Sequence, residues 1–309
     1  MTLPATGNLE KALASGHFAV TAECGPPRGA DPDVIRRKGN VLKEYTDAVN
    51  VTDNQTAVVR MSSMASCVIL GEMGIDPVLQ MTVRDRNRIA LQSDVLGASA
   101  LGIRNILCLS GDHQSFGDHP GAKNVHDLDS VQLIDTLRIM RDESKFLSGQ
   151  EIKGRPDIFI GCVENPFADP FDIRAMRLAK KVRAGAQFVQ TQCVFNIEKF
   201  TKWMEMVRDL TIHEKAFVLA GITPLKSPAM ARYMKNSVPG MDVPDLLIER
   251  MESVPKERYR DEGVAICLET VEAVRNIEGI AGIHIMAIEW EDIVPEIVKK
   301  AGLFPRPFL

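Results

Sequence analysis

Eight short runs of apolar and β-branched residues punctuate this chain, and almost every one leads into a longer stretch with helical periodicity. The runs fall at 17–23 (HFAVTAE), 47–52 (DAVNVT), 77–83 (PVLQMTV), 104–110 (RNILCLS), 157–163 (DIFIGCV), 186–193 (AQFVQTQC), 216–222 (AFVLAGI) and 282–288 (GIHIMAI). Most are too continuously apolar to have one wet face, which is the pattern of parallel strands covered by helices. Helices are predicted over 31–44, 86–101, 128–141, 170–184, 197–210, 228–234 and 295–301. Two more, 246–251 and 263–277, are inserted before the last strand. Glycines 102, 185 and 282 are read as left-handed helix stops ahead of the next strand.

Strands alternating with helices close into a barrel or open into a doubly wound sheet. The count of eight, and the missing GxGxxG turn after the first run, predict a (β/α)8 TIM barrel. Barrels of this size are commonly one domain, so 1–309 is read as a single catalytic domain. The composition, 45% hydrophobic and 25% charged, is that of an ordinary globular protein. A net charge of −4 and the lack of a basic stripe argue against a nucleic-acid partner. No apolar run approaches the roughly 18 residues of a membrane span, and residues 1–7 lack a signal-peptide layout. Six cysteines without CxxC pairs or metal spacing predict no metal site and a reducing, cytoplasmic setting.

In such a barrel the chemistry belongs on the loops after the strands. Polar residues do collect there: Glu23 after the first run, Thr52 and Asp53 after the second, Thr82, Arg84 and Asp85 after the third. Ser110, Gly111 and Asp112 follow the fourth, Glu164 the fifth, Gln190 and Gln192 sit on the sixth, and Glu289 follows the eighth. Glu23 and Gln192 stand in apolar strand contexts, where an unpaired polar group is costly. A carboxyl at an apolar strand end should have a raised pKa, as a general acid needs near neutral pH. The glycine before Asp112 would let backbone approach a planar ligand closely.

Other residues have plainer readings. His113 and His119 are expected in an exposed loop, and His284 as a satisfied core histidine. Met61, Met64, Met73 and Met81 are expected to pack helix against strand. Arg84, Asp85 and Arg86 are read toward a cofactor phosphate, with a rim ion-pair network as the other reading.

The motifs, taken in order, resemble the methylenetetrahydrofolate reductase family. They are AECGPP (22–27), VNVT (49–52), LQMT (79–82), GIRNILCLSGD (102–112), KVRAGA (181–186) with Thr191 and Gln192, and AGITP (220–224). The resemblance spans nearly the whole chain and implies reduction of 5,10-methylenetetrahydrofolate to 5-methyltetrahydrofolate by hydride from a reduced flavin, in one-carbon metabolism. It implies that Glu23 is the general acid that helps open the methylene-folate ring, and that Asp112 supports the cationic iminium and tunes the flavin. By the same resemblance Gln192 bonds folate and faces the nicotinamide, Ile222 lines the folate site, Thr52 binds the flavin and Lys181 meets its phosphates. Lys181 could otherwise serve only as a helix C-terminal cation. Gln80, Thr82, Arg84, Ser110, Gly111, Cys162 and Glu164 complete the implied cofactor set.

Departures from the family pattern cluster toward the cofactor's outer half. Ser110 stands where flavin-binding members have Arg, Gln80 where they have His, Cys162 near a flavin-stacking tyrosine, and Arg174 in place of an acidic residue. The resemblance implies FAD, and these departures make FMN the alternative. The run 282–301, with His284, Glu289 and Trp290, is similar to an anaerobe branch in which an iron–sulfur partner subunit delivers electrons. The donor is then NADH, NADPH, or ferredoxin through that partner, and an oligomer is expected. The competing readings are a flavin-free pterin-binding transferase or lyase, and a non-catalytic subunit of an electron-transfer complex.

Overall fold

All eight predicted runs become strands: β1 (Ala19–Cys24), β2 (Ala48–Val51), β3 (Pro77–Thr82), β4 (Asn105–Leu109), β5 (Phe159–Glu164), β6 (Phe188–Cys193), β7 (Phe217–Ile222) and β8 (Ile280–Ile285). In this computed structural model, which describes residues 7–238 and 240–307, they form a closed parallel barrel in sequence order. Closure is made by β8 against β1, with Thr21 opposite His284. The leader reading of residues 1–7 falls, apart from Gly7, outside the described residues.

The helices are α1 (Asn8–Ala14), α2 (Pro32–Leu42), α3 (Ser63–Glu72), α4 (Arg88–Ala100), α5 (Ser130–Arg138) and α6 (Arg174–Ala184). They continue with α7 (Ile197–Asp209), α8 (Pro228–Ser237), α9 (Asp245–Glu252), α10 (Tyr259–Arg275) and α11 (Val294–Lys300). The two inserted helices are thus α9 and α10, ahead of β8 as expected. Local chemistry sets the starts. Asp31 accepts from the Asp33 amide with Pro32 at the first helical position, and Asp129 and Gln132 form a reciprocal capping box.

Two helices escape the periodicity. The α3 segment, SMASCVILGE, is apolar or small on every side, so it lacks the amphipathic contrast that marks a surface helix. The α1 segment is only seven residues long, yet it seals the barrel: Leu9 and Leu13 join Ala19, Val78, Leu107, Phe159 and Phe188 in one buried cluster. Gly102 and Gly185 have positive φ, as predicted for helix stops. Gly282 does not serve as one. It lies inside β8, where an added Cβ would sit 2.4 Å from the Ala19 carbonyl oxygen, so close strand approach is what requires glycine there.

Side-chain alternation then divides the barrel into layers. Ile106, Cys108, Ile160, Cys162, Ala220 and Ile222 point out into the core shared with the helices, where Met81 is buried and Met61, Met64 and Met73 pack. The lumen is apolar where α1 plugs it. Above the plug it turns polar: Asn50 and Gln190 exchange two amide hydrogen bonds at 2.6 and 3.1 Å, and the Thr21 hydroxyl lies 2.9 Å from His284 Nδ1. Such a buried layer is tolerable because its members satisfy one another.

Candidate active site at the C-terminal mouth

Polar side chains two residues apart on a strand share one face, so the residues that crown the lumen follow from those below it. Glu23 stands above Thr21, Thr52 above Asn50, Thr82 above Gln80 and Gln192 above Gln190. Glu23, Gln80, Asp112, Glu164 and Gln192 all line one cavity of about 300 Å³, floored by Leu107, Gln190 and His284. A register shift between Gln190 and Cys193 turns Thr191 and Gln192 to this mouth together. The Thr191 hydroxyl accepts from the Gly221 amide at 2.9 Å, and Gln192 Oε1 accepts from the Cys193 amide at 3.0 Å.

Electrostatics single out Glu23. Burial, and next the anion of Glu291, raise its pKa from 4.5 to about 7; a hydrogen bond from Gln80 and the cation of Lys38 act against them. Glu23 therefore holds its proton to near neutrality, the condition for a general acid. His284 is driven the other way, to about 3, by burial, so it is a neutral hydrogen-bonding histidine as the sequence predicts. Burial pushes the thiols of Cys24, Cys162 and Cys193 up to about 12, which keeps them protonated. Among the described residues no group of three or more His, Cys, Asp or Glu could hold a metal ion.

The other predicted residues fall in several places. Thr52 is buried at the lumen's top and its hydroxyl has no hydrogen-bond partner. Thr82 gives its amide and hydroxyl to Asp53 Oδ2, both at 2.9 Å. Arg84 is clasped by Asp85 at 2.7 and 2.6 Å and donates to the carbonyls of Asp112 and Asn54. Arg86 pairs with Asp53 and Asp94, so this triplet is an ion-pair network at the rim. The Ser110 hydroxyl is 3.3 Å from that of Ser130. Gly111 has φ +81°, and a Cβ there would press on Thr82 and Arg84 at 3.2 Å. Asp112 Oδ2 accepts from the Thr56 amide at 3.0 Å. Lys181 is buried against Glu164 at 2.7 Å and also donates to the Val163 carbonyl.

Two predicted residues do not join the mouth through their side chains. Cys162 and Ile222 occupy outward positions on β5 and β7, and both are fully buried in the core beneath the helices. Conversely, Thr21, Asn50, Lys38, Arg60 and Glu291 surround the site without having been singled out. Thr21 and Asn50 carried a readable signal, a polar residue two positions before another in an apolar run. Lys38 and Glu291 carried none, since only the fold brings α2 and the turn after β8 together.

A family model described as "Methylenetetrahydrofolate reductase" matches residues 8–302. The chain is similar to "Probable methylenetetrahydrofolate reductase (NADPH)" of Caenorhabditis elegans, at 26% identity over 96% of this chain and 44% of the relative. It is also similar to "Methylenetetrahydrofolate reductase 2" of Schizosaccharomyces pombe, at 25% identity over 88% and 43%. The chain thus spans less than half the length of these curated relatives.

Among solved structures it resembles a protein from Clostridium thermocellum that binds two copies of 5-methyl-5,6,7,8-tetrahydrofolic acid. There the TM-score is 0.60, the identity 12%, and the coverage 95% of this chain and 96% of that one. An F420-dependent secondary alcohol dehydrogenase gives a TM-score of 0.59 at 12% identity, covering 92% and 99%. At such identities these likenesses concern the barrel fold.

Proposed function

Because the chain belongs to the methylenetetrahydrofolate reductase family, we propose that it reduces 5,10-methylenetetrahydrofolate to 5-methyltetrahydrofolate with a flavin as its cofactor. The observation that carries this reading is that Glu23, which keeps its proton to about pH 7, and Asp112 line one cavity at the barrel's C-terminal mouth. Two features fit a planar cofactor: Thr52 offers a buried hydroxyl without a partner, and the turn at Gly111 packs against Thr82 and Arg84 too closely to carry a side chain, which leaves bare backbone at the rim. When bound, a flavin supplies a two-electron hydride donor that no side chain can replace.

The chain's own residues supply the proton and the charge. Glu23 gives its proton to the nitrogen that leaves the methylene carbon, so that no bare amide anion is expelled. Asp112, held by the Thr56 amide, sets a carboxylate at the cavity where positive charge develops on the folate. Gln192 and Gln80 offer amide groups at the same cavity for the pterin's hydrogen-bonding edge.

FAD is the proposed form of the cofactor, with FMN as the alternative. Residues 1–309 are proposed to act as one catalytic domain in a reducing cytoplasm, supported by the single closed barrel and by six free cysteines. NADPH, which stands in the name of the worm relative, is one donor to test; NADH and reduced ferredoxin with an iron–sulfur partner are the others.

Native protein should purify with the visible spectrum of an oxidised flavin, or take up added FAD or FMN, and should reduce methylenetetrahydrofolate with one of these donors. A colourless protein that takes up neither cofactor would sink the reading in favour of a flavin-free pterin enzyme. Asp112→Asn removes the negative charge while keeping an acceptor for the Thr56 amide. It should weaken folate binding about tenfold, the loss of one charge-assisted contact, and shift the flavin potential. Unchanged values in both measurements would remove Asp112 from the mechanism.

A further inference from the structure

Glu23 also borders a second, larger cavity of about 560 Å³, which Asp112 does not line but which is lined by Thr56, the residue whose amide holds Asp112. Its wall carries Lys38 from α2 and Glu291 from the turn that precedes α11. The Lys38 ammonium lies 2.5 Å from the Glu291 carboxylate, and it also donates to the Gly25 carbonyl at 3.1 Å. Gly25 is two residues beyond Glu23, in the turn that leaves β1. One cation thus ties together the acid's own turn, helix α2 and the segment after β8. Both partners are mostly sheltered, at 24% and 12% exposure, so their fields are screened less than those of a surface pair.

We propose that the Lys38–Glu291 ion pair is a positioning device for Glu23. It pins the turn that carries the acid and sets one cation and one anion on the same cavity wall, each biasing the acid's proton in an opposite sense. The inference rests on the reading of Glu23 as the acid.

Other titratable and charged groups also face Glu23. On the larger cavity, Arg60 is turned to the Pro26 carbonyl at 3.0 Å, and Glu289 sits on the loop after β8. On the smaller one, Glu164 is neutralised by Lys181, Asp112 is bound to the Thr56 amide, and His284 is uncharged. The neighbouring thiols of Cys24 and Cys193 stay protonated. Glu291 is the anion that raises Glu23, and Lys38 the cation that opposes it.

The test is a direct titration of Glu23 in the full, ligand-free protein by NMR of ¹³C-labelled glutamate carboxyls, its resonance assigned by its loss in Glu23→Gln. Glu291→Gln should move the midpoint to lower pH and Lys38→Met to higher pH, each by about half a pH unit or more. Lys38→Arg, which keeps the charge, should restore the native midpoint. Midpoints that stay put, or that move in the same direction, would overturn the proposal. Because this readout needs no turnover, opposite shifts unaccompanied by any change in the pH profile of folate reduction would uphold the pair and instead defeat the acid role of Glu23.

Discussion

Glu23→Gln should leave the barrel folded and any bound flavin in place, and should cut folate turnover by about 10²–10⁴, the usual contribution of a general acid. Glutamine keeps the size of the side chain and can still meet Gln80, so packing at the end of β1 is preserved while the transferable proton is lost. Circular dichroism and the flavin spectrum check the first part; steady-state folate reduction checks the second. Near-native turnover would strike Glu23 from the mechanism.

The same residue sets a pH dependence. Its folded-state pKa is raised from 4.5 to about 7, so the competent protonated form is lost as pH climbs through that value. Turnover limited by ring opening should fall on the alkaline side, and the limb should vanish in Glu23→Gln. Stability moves in the same sense. A raised pKa means that the unfolded chain releases this proton first, so the stabilising contribution is complete below pH 4.5 and declines as pH rises through about 7.

Asp53→Ala should lower stability by about 3 kcal/mol, within the range for removing one partner of a buried ion pair. Its side chain is 1% exposed and spends both oxygens on the scaffold: Arg86 at 2.7 and 3.3 Å, the amide and hydroxyl of Thr82 at 2.9 Å, and the hydroxyl of Ser63 at 3.4 Å. Truncation strands the Thr82 amide in a buried position and leaves Arg86 with Asp94 as its remaining carboxylate. Since Thr82 and Thr52 flank this strut at the mouth, weaker flavin retention should accompany the lower melting temperature. A thermal midpoint within a degree of the native protein would show that Asp53 is not a strut.

How far the site could be read from sequence is clearest from residue pairs. Glu23 and Gln192 were visible because each breaks an apolar run, and the barrel does bring them to one cavity. Cys162 and Ile222 were assigned to the site by resemblance, but strand alternation sends their side chains to the opposite face, a distinction of one residue that motif matching does not register. Lys181 is assigned by resemblance to the cofactor's phosphates; in the fold its ammonium pairs with Glu164, a buried carboxylate at the end of β5 that needs a partner, and no sequence spacing announces that pair.

The linear order of residues, alone, determined the eight-fold alternation, the parallel barrel and the rim on which chemistry gathers, because period and burial are written locally along the chain. It could not determine which charges surround the acid. The helix that carries Lys38 and the turn that carries Glu291 lie about 250 residues apart in sequence, and Coulomb interactions depend on distance through space. Only the closing of β8 onto β1 brings them to one wall, and so only the tertiary structure decided where the proton on Glu23 is held.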